Sequence, residues 1–256
     1  MTRRMRIEVV TLFPEWFDSV IGESIVGRGL EKKLFDIRIV NLRDYTTDKH
    51  RTADDTPYGG GGGMVLKVEP LHNCLADLGH ERGAKPGEKI IITSAAGKKF
   101  TQDKAVGYSL LERLTIICGH YLGVDERILS LFEIEEISIG DYVMTGGEAA
   151  ATVITDAVVR LIPGVLGNFE SAMADSHTEK KLGAPVYTRP EEFMGLRVPE
   201  ILLGGNHRLI EEYRKKESIR KTFENRPELL DEIELDKDDI AYIKELGKSE
   251  ENENNE

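Results

Sequence analysis

Clusters of apolar residues recur at short, regular intervals through the first two thirds of the chain. Five runs have the β-branched content and length of buried strands: "RIEVVTLF" (6–13), "FDIRIVNL" (35–42), "EKIIITSA" (88–95), "RLTIICGH" (113–120) and "IEEISIGDYVM" (134–144). Segments with helical spacing lie between and after them, such as "EWFDSVIGESIVGRGLEKKL" (15–34) and "GEAAATVITDAVVRLI" (147–162). This rhythm predicts an α/β fold with a mainly parallel, buried sheet and helices on both faces. The periodicity fades near "PGVLGNFESAMADSHTEKKLGAP" (163–185), where small and polar residues mark a boundary. Beyond it, "RLIEEYRKKESIRKTF" (208–223) and "PELLDEIELDKDDIAYIKEL" (227–246) read as helices, with Pro227 at a helix start. The division expected is therefore a first domain over 1–165, a linker over 166–180, a small helical domain over 181–246 and an acidic, disordered tail over 247–256.

Composition narrows the class without naming a chemistry. With 40% hydrophobic and 31% charged residues, the 256-residue chain is an ordinary globular sequence, and no apolar run approaches a membrane span. Its start, "MTRRMRIEVVTLFPEWF", is basic and then apolar, but Glu8, Pro14 and Glu15 interrupt it, so it reads as a first strand and not as a signal. Two cysteines make no disulfide framework, and no zinc-ligand spacing is present, so no metal ligands are assigned and a reducing cytoplasm is expected. The net charge of −12 is unevenly placed: from Glu224 onward there are 13 acidic and four basic residues. The stretch "NHRLIEEYRKKESIRKTF" (206–223) holds six Arg and Lys against three Glu, a local face able to meet phosphates.

Several familiar catalytic signatures are missing. There is no G-x-G-x-x-G, no P-loop and no G-x-S-x-G elbow. Instead, three glycine-marked turns follow candidate strands: "TSAAGK" (93–98), "CGHYLGVDER" (118–127) and "SIGDYVMTGGE" (138–148). In a parallel sheet such turns gather beyond the carboxyl ends of the strands, where ligands bind, and glycine there lets a flat ligand approach the backbone. They can equally be three ordinary strand-ending turns. A further cluster, "DKHRTADDTPYGGGGGM" (48–64), sets His50, Arg51, Asp54, Asp55 and Tyr58 beside five glycines; it reads as a flexible linker or as a loop that orders on a substrate.

Assembled in order, these strings resemble the bacterial tRNA (guanine-N1)-methyltransferase family of the SPOUT superfamily, TrmD. The resemblance runs from about residue 6 to 246 and rests on "TLFPEWF", "HRTADDTPYGGGGGM", "CGHYLGVDER", "SIGDYVMTGGE", "RLIPGVLG", "YTRP", "VPEILLGGNH" and "RPELL". It implies a homodimer with an active site shared between subunits, and a first domain whose chain path is knotted, which base rates of chain threading would never suggest. It implies S-adenosylmethionine as methyl donor, with Ile139, Gly140, Asp141, Tyr142, Val143 and Met144 around the adenine. Gly146 and Gly147 then clear space beside it, Gly119, Tyr121 and Gly123 line the ribose and methionine side, and Ser94 joins them. The implied reaction methylates N1 of the guanine immediately 3′ of the tRNA anticodon, position 37. Asp175 corresponds to the general base and Arg160 to the partner of guanine O6. His50, Arg51, Asp54 and Asp55, with Asn206, His207, Arg214 and Lys215, correspond to tRNA contacts.

This chain departs from the family pattern at several places. Leu122 stands where the family commonly has a Glu associated with the donor's methionine end and with magnesium, which puts a magnesium requirement in question. "TSAAG" lacks the usual proline, "GGGGG" replaces "GGGPG", and His120 stands where many members have Arg. Two other readings follow: a SPOUT methyltransferase acting on another RNA, or a catalytically decayed SPOUT-fold RNA-binding protein.

Overall fold

The computed structural model describes residues 4–83, 85–167, 175–177 and 179–253. They divide into two compact units, Met1–Gly167 and Asn168–Glu256.

The first unit alternates strands and helices as their apolar spacing requires. In chain order it runs β1 (Met5–Thr11), α1 (Asp18–Gly22), α2 (Ser24–Glu31), β2 (Phe35–Asn41), β3 (Asp54–Asp55), β4 (Val65–Leu66), α3 (Val68–Asp77), β5 (Glu88–Lys99), α4 (Gln102–Ser109), β6 (Arg113–Ile117), α5 (Arg127–Phe132), β7 (Glu135–Ser138) and α6 (Glu148–Val159). Five strands form one sheet in the order β2-β1-β6-β5-β7, and every pairing is parallel. The strict alternation of a strand sorts the side chains to two faces. Ile7, Val9, Ile91, Leu114 and Ile116 pack with Val26 of α2, Tyr108 of α4 and Ile154 and Val158 of α6. Their neighbours Val10, Ile90, Ile92 and Ile117 pack on the opposite face with Leu71 and Leu75 of α3 and Ile128 of α5. Glu8 shares that second face and is buried. Arg113 donates to it at 2.8 and 2.6 Å and also donates to the carbonyl of Leu78, which closes the end of α3 onto the sheet.

The strands depart from the expected runs at their carboxyl ends, β7 and β5 most of all. β7 ends at Ser138, so Gly140–Met144 is loop. There the Ser138 hydroxyl donates to the Gly140 carbonyl and accepts from its N–H, and the Tyr142 N–H donates to the same carbonyl, folding the chain back. β5 continues to Lys99 but breaks register: Thr93 and Lys98 both face Ile137, so residues 94–97 loop out of the sheet. The glycine-rich 48–64 segment holds one two-residue strand, Asp54–Asp55, and the loop leading to its antiparallel partner, with Asp54 opposite Leu66 and Asp55 opposite Val65. Asp48 organises its entry by accepting from the N–H of His50 and from the N–H and hydroxyl of Thr52.

The second unit carries a small hairpin, β8 (Glu192–Phe193) with β9 (Leu196–Arg197), and the helices α7 (Glu200–Leu203), α8 (His207–Asn225) and α9 (Lys237–Glu253). Buried Ile219, Leu229 and Leu230 supply its apolar centre. The stretch 227–246 is not one helix. Pro227–Glu232 is a 3₁₀ segment, and a new helix starts at Lys237 because the Asp236 carboxylate accepts from the N–H groups of Asp238 and Asp239, both at 2.9 Å. α9 then runs to Glu253, past the point at which composition suggested a tail.

Candidate functional site

The strands β6, β5 and β7 are neighbours in the sheet, so the turns that follow them emerge side by side. Together they enclose a cavity of about 350 Å³. The loop after Thr93 contributes Ser94, Ala95 and Ala96. The turn after β6 contributes Gly119 to Val124, and the loop after β7 contributes Ile139, Gly140 and Tyr142 to Gly147. The structure thus brings together every residue of the expected donor site except Asp141, which is exposed and outside the lining.

Why the turns hold this shape is a matter of backbone packing. The Gly147 N–H donates to the Gly119 carbonyl at 2.7 Å, the Gly119 N–H donates to the Thr93 hydroxyl at 3.0 Å, and that hydroxyl donates to the Ile117 carbonyl at 3.4 Å. One threonine therefore ties all three turns. A Cβ on Gly147 would overlap Thr93 Oγ1 and stand 2.7 Å from the Gly119 nitrogen, and one on Gly119 would collide with the Thr93 carbonyl oxygen. A Cβ on Gly146 would meet Glu148 Oε2 at 2.5 Å and His120 Nδ1 at 2.7 Å. These glycines clear space for neighbouring protein atoms, and all three also line the cavity.

A buried polar layer lies under the glycines. Glu148, the first residue of α6, is buried, and its Oε1 accepts from Thr11 Oγ1 at 2.8 Å. His120 packs edge-on to Phe13 and against Tyr121, and its Nδ1 is buried with no hydrogen-bond partner among the described residues. Burial, with the Glu148 carboxylate beside it, pushes the Cys118 thiol well above the usual range. Tyr121 takes a left-handed conformation, φ 58°. Its turn is pinned from behind by the Leu122 N–H donating to Met64 and the Leu66 N–H donating to Gly123, both at 3.0 Å. Three of the lining residues are exposed and apolar, Leu122, Tyr142 and Val143, the last 86% exposed; Phe13, which packs on His120, and Trp16 are exposed as well. Sequence reasoning missed Thr93, Thr11 and Glu148. The available signals were a Thr at the last buried position of a strand and a Glu directly after two glycines.

The other expected residues lie elsewhere. Arg160 caps the end of α6 and is half-buried, while Asp175 is exposed in the second unit. Arg51, in a left-handed conformation, is ion-paired with Asp44, and its Nε donates to the Arg43 carbonyl. His50 is exposed, and Asp55 accepts from the Thr56 N–H. Asn206 caps α8 by accepting from the Leu209 N–H, and His207 and Arg214 are exposed along that helix. Lys215 is engaged by Asp236 at 2.6 Å and Asp239 at 2.8 Å. No group of three His, Cys, Asp or Glu among the described residues is arranged to hold a metal.

A parallel sheet whose adjacent carboxyl-end turns form a small, glycine-walled cavity defines a ligand-binding α/β domain of the kind that takes nucleotide-like cofactors. The comparisons with known proteins are more specific. Residues 5–232 match the sequence model of the family described as tRNA (Guanine-1)-methyltransferase TrmD. A Bacillus cereus (strain B4264) protein named tRNA (guanine-N(1)-)-methyltransferase is 49% identical over 242 residues, covering 94% of this chain and 98% of that protein. Proteins of the same name from B. cereus (strain AH820) and Bacillus anthracis (strain CDC 684 / NRRL 3495) are 48% identical over the same shares. The chain belongs to the TrmD family of tRNA (guanine-1)-methyltransferases.

Proposed function

We propose that this enzyme transfers a methyl group from S-adenosylmethionine to N1 of the guanine immediately 3′ of the tRNA anticodon, position 37. The observation that carries the reading is the three-turn cavity in a chain matched to the family over residues 5–232. The cavity fits such a donor. Its volume of about 350 Å³ suits a small-molecule site, Tyr121 and Tyr142 offer faces for a flat base, and Ile139, Val143 and Met144 offer apolar walls. His120, which also lines the cavity, has an Nδ1 with no hydrogen-bond partner among the described residues. When bound, the donor supplies a methyl carbon already made electrophilic by the attached sulfonium.

The residues of the chain address the difficulty on the guanine side. N1 of guanine carries a proton and has no free lone pair, so a base must take that proton, and charge then accumulates on O6. Asp175 is the base and Arg160 the cation beside O6. A fully solvated carboxylate is weak for so reluctant a proton. Asp175, exposed here, becomes an effective base when the bound RNA excludes water from it. A homodimer with shared active sites accords with the exposed apolar side chains of Phe13, Trp16 and Val143, which a lone chain leaves in water. We also take the knotted path and a cytoplasmic setting from the family. No helix among the described residues is long and apolar enough to cross a membrane.

The test is methyl transfer from labelled S-adenosylmethionine to two unmodified tRNA transcripts, one with guanine and one with adenine just 3′ of the anticodon. Transfer to the first alone is expected. In single-turnover experiments Asp175→Ala slows the reaction by roughly 10²- to 10⁴-fold while donor and tRNA still bind. A near-normal rate removes Asp175 from its role, and tRNA binding without any transfer supports an RNA-binding protein with a decayed pocket.

A further inference from the structure

Of the six cations of α8, Lys216 stands over the Tyr242 ring at 5.8 Å, and the other five fall into two sets with different partners. Arg208 pairs with Glu212 at 3.2 Å, Lys215 with Asp236 and Asp239, and Arg220 with Glu217 at 2.6 Å and Glu224 at 2.7 Å. Lys215 thereby fastens α8 to the capping residue of α9. Arg220 has a second effect. Glu217 and Glu224 stand four residues before and three after Lys221, the spacings from which a helical carboxylate reaches a lysine. Because Arg220 holds both, Lys221 is left with no carboxylate partner among the described residues. Arg214 has none either, and Glu211, three residues before it, forms no ion pair there. Residues seven apart recur on one helix face, so His207, Arg214 and Lys221 make a single row about 21 Å long.

We infer that this row is the edge of the second unit that contacts RNA phosphates, with Arg214 and Lys221 as its cations, and that Arg208, Lys215 and Arg220 serve the protein's own structure. The inference rests on the tRNA-binding reading above. Charge complementarity favours a polyanion: on a chain of net charge −12, only cations not already neutralised can draw phosphates in. Lys221 thus joins the RNA contacts, and Lys215 leaves them.

The experiment measures binding of the guanine-bearing tRNA transcript by fluorescence anisotropy between about 50 and 200 mM salt. In Arg214→Gln/Lys221→Gln the slope of log K against log salt becomes shallower by roughly 1.4 to 1.8, and affinity falls about tenfold or more. Each single variant gives about half that slope change. Lys215→Gln keeps the wild-type slope but lowers the melting temperature of the second unit. Arg220→Met, which frees Glu217 and Glu224 to pair with Lys221, reproduces the Lys221→Gln slope. The proposal is overturned if the folded double variant keeps the wild-type slope, or if Lys215→Gln lowers it equally. A wild-type protein that binds no tRNA overturns the parent reading, and the row with it.

Discussion

Gly147→Ala tests the account of the cavity most directly, because the alanine methyl has nowhere to go. It would overlap Thr93 Oγ1 and lie 2.7 Å from the Gly119 nitrogen and 3.1 Å from Cys118 Cα, and two of these atoms are backbone. Relief requires one turn to withdraw. Overpacking of this kind costs about 1–3 kcal/mol. Loosening the Gly147 N–H to Gly119 and Gly119 N–H to Thr93 bonds adds roughly 1 kcal/mol each. A loss of about 3 kcal/mol lowers the melting temperature of the first unit by roughly 6–12 °C. Calorimetry with S-adenosylmethionine should show donor binding weakened in step, since the same turns wall the cavity. Thr93→Ala removes the hydroxyl that the methyl strikes but leaves the Gly119 nitrogen in place. The double variant should therefore be less destabilised than the sum of the singles by about 1–2 kcal/mol. Strict additivity, or a Gly147→Ala protein that melts within about 1 °C of wild type and binds donor normally, would refute the reasoning.

Two further outcomes follow from the first unit. Leu122 is 63% exposed and its backbone holds the turn, so Leu122→Glu should leave the melting temperature within about 2 °C while altering donor binding and making it sensitive to magnesium; identical calorimetric traces with and without magnesium would sink this. His80 is held neutral down to about pH 4 by burial first and by the Arg113 guanidinium next, although Glu8 and Glu88 lie 3.8 and 3.7 Å from its ring nitrogens. The unfolded chain takes up that proton near pH 6.5, so stability is complete above 6.5 and falls by up to about 3 kcal/mol as pH drops to 4. Urea unfolding at pH 7 and 4.5 should show a loss smaller by about 2 kcal/mol in His80→Gln, and equal losses would count against it.

The layering of the first unit was legible because its central strands, β1 and β6, are buried on both faces almost throughout. A run such as "RLTII" has no solvent-facing position to dilute its signal, and all five of its residues are buried. The end of β7 was not legible, since "ISIGDYVM" keeps a strand-like composition while the Ser138 hydroxyl and Gly140 turn the chain by local hydrogen bonds. The break in register of β5 was hidden for a related reason: two alanines and a glycine can continue a strand or leave it, and only pairing with Ile137 decides. On α8 the composition announced a basic face, yet its partners Asp236 and Asp239 lie more than twenty residues ahead in the sequence, so which cations were free could not be read locally.

The glycines of "MTGGE" show how far spacing alone can carry a site. Spacing predicts that something approaches the backbone closely, and something does: a threonine hydroxyl, a histidine ring and a buried glutamate. The identity of the approaching group is a long-range fact, set by β5 and β6 lying beside β7 in the sheet. The consequence is functional. A wall built by packing turn against turn is rigid before any ligand arrives, so its backbone N–H and C=O groups are already aimed and need little reorganisation on binding. Recognition of a base by such groups asks for no particular side chain. This accounts for a cavity whose sequence signature is glycine, while the residues we propose for its chemistry, Arg160 and Asp175, contribute nothing to its lining.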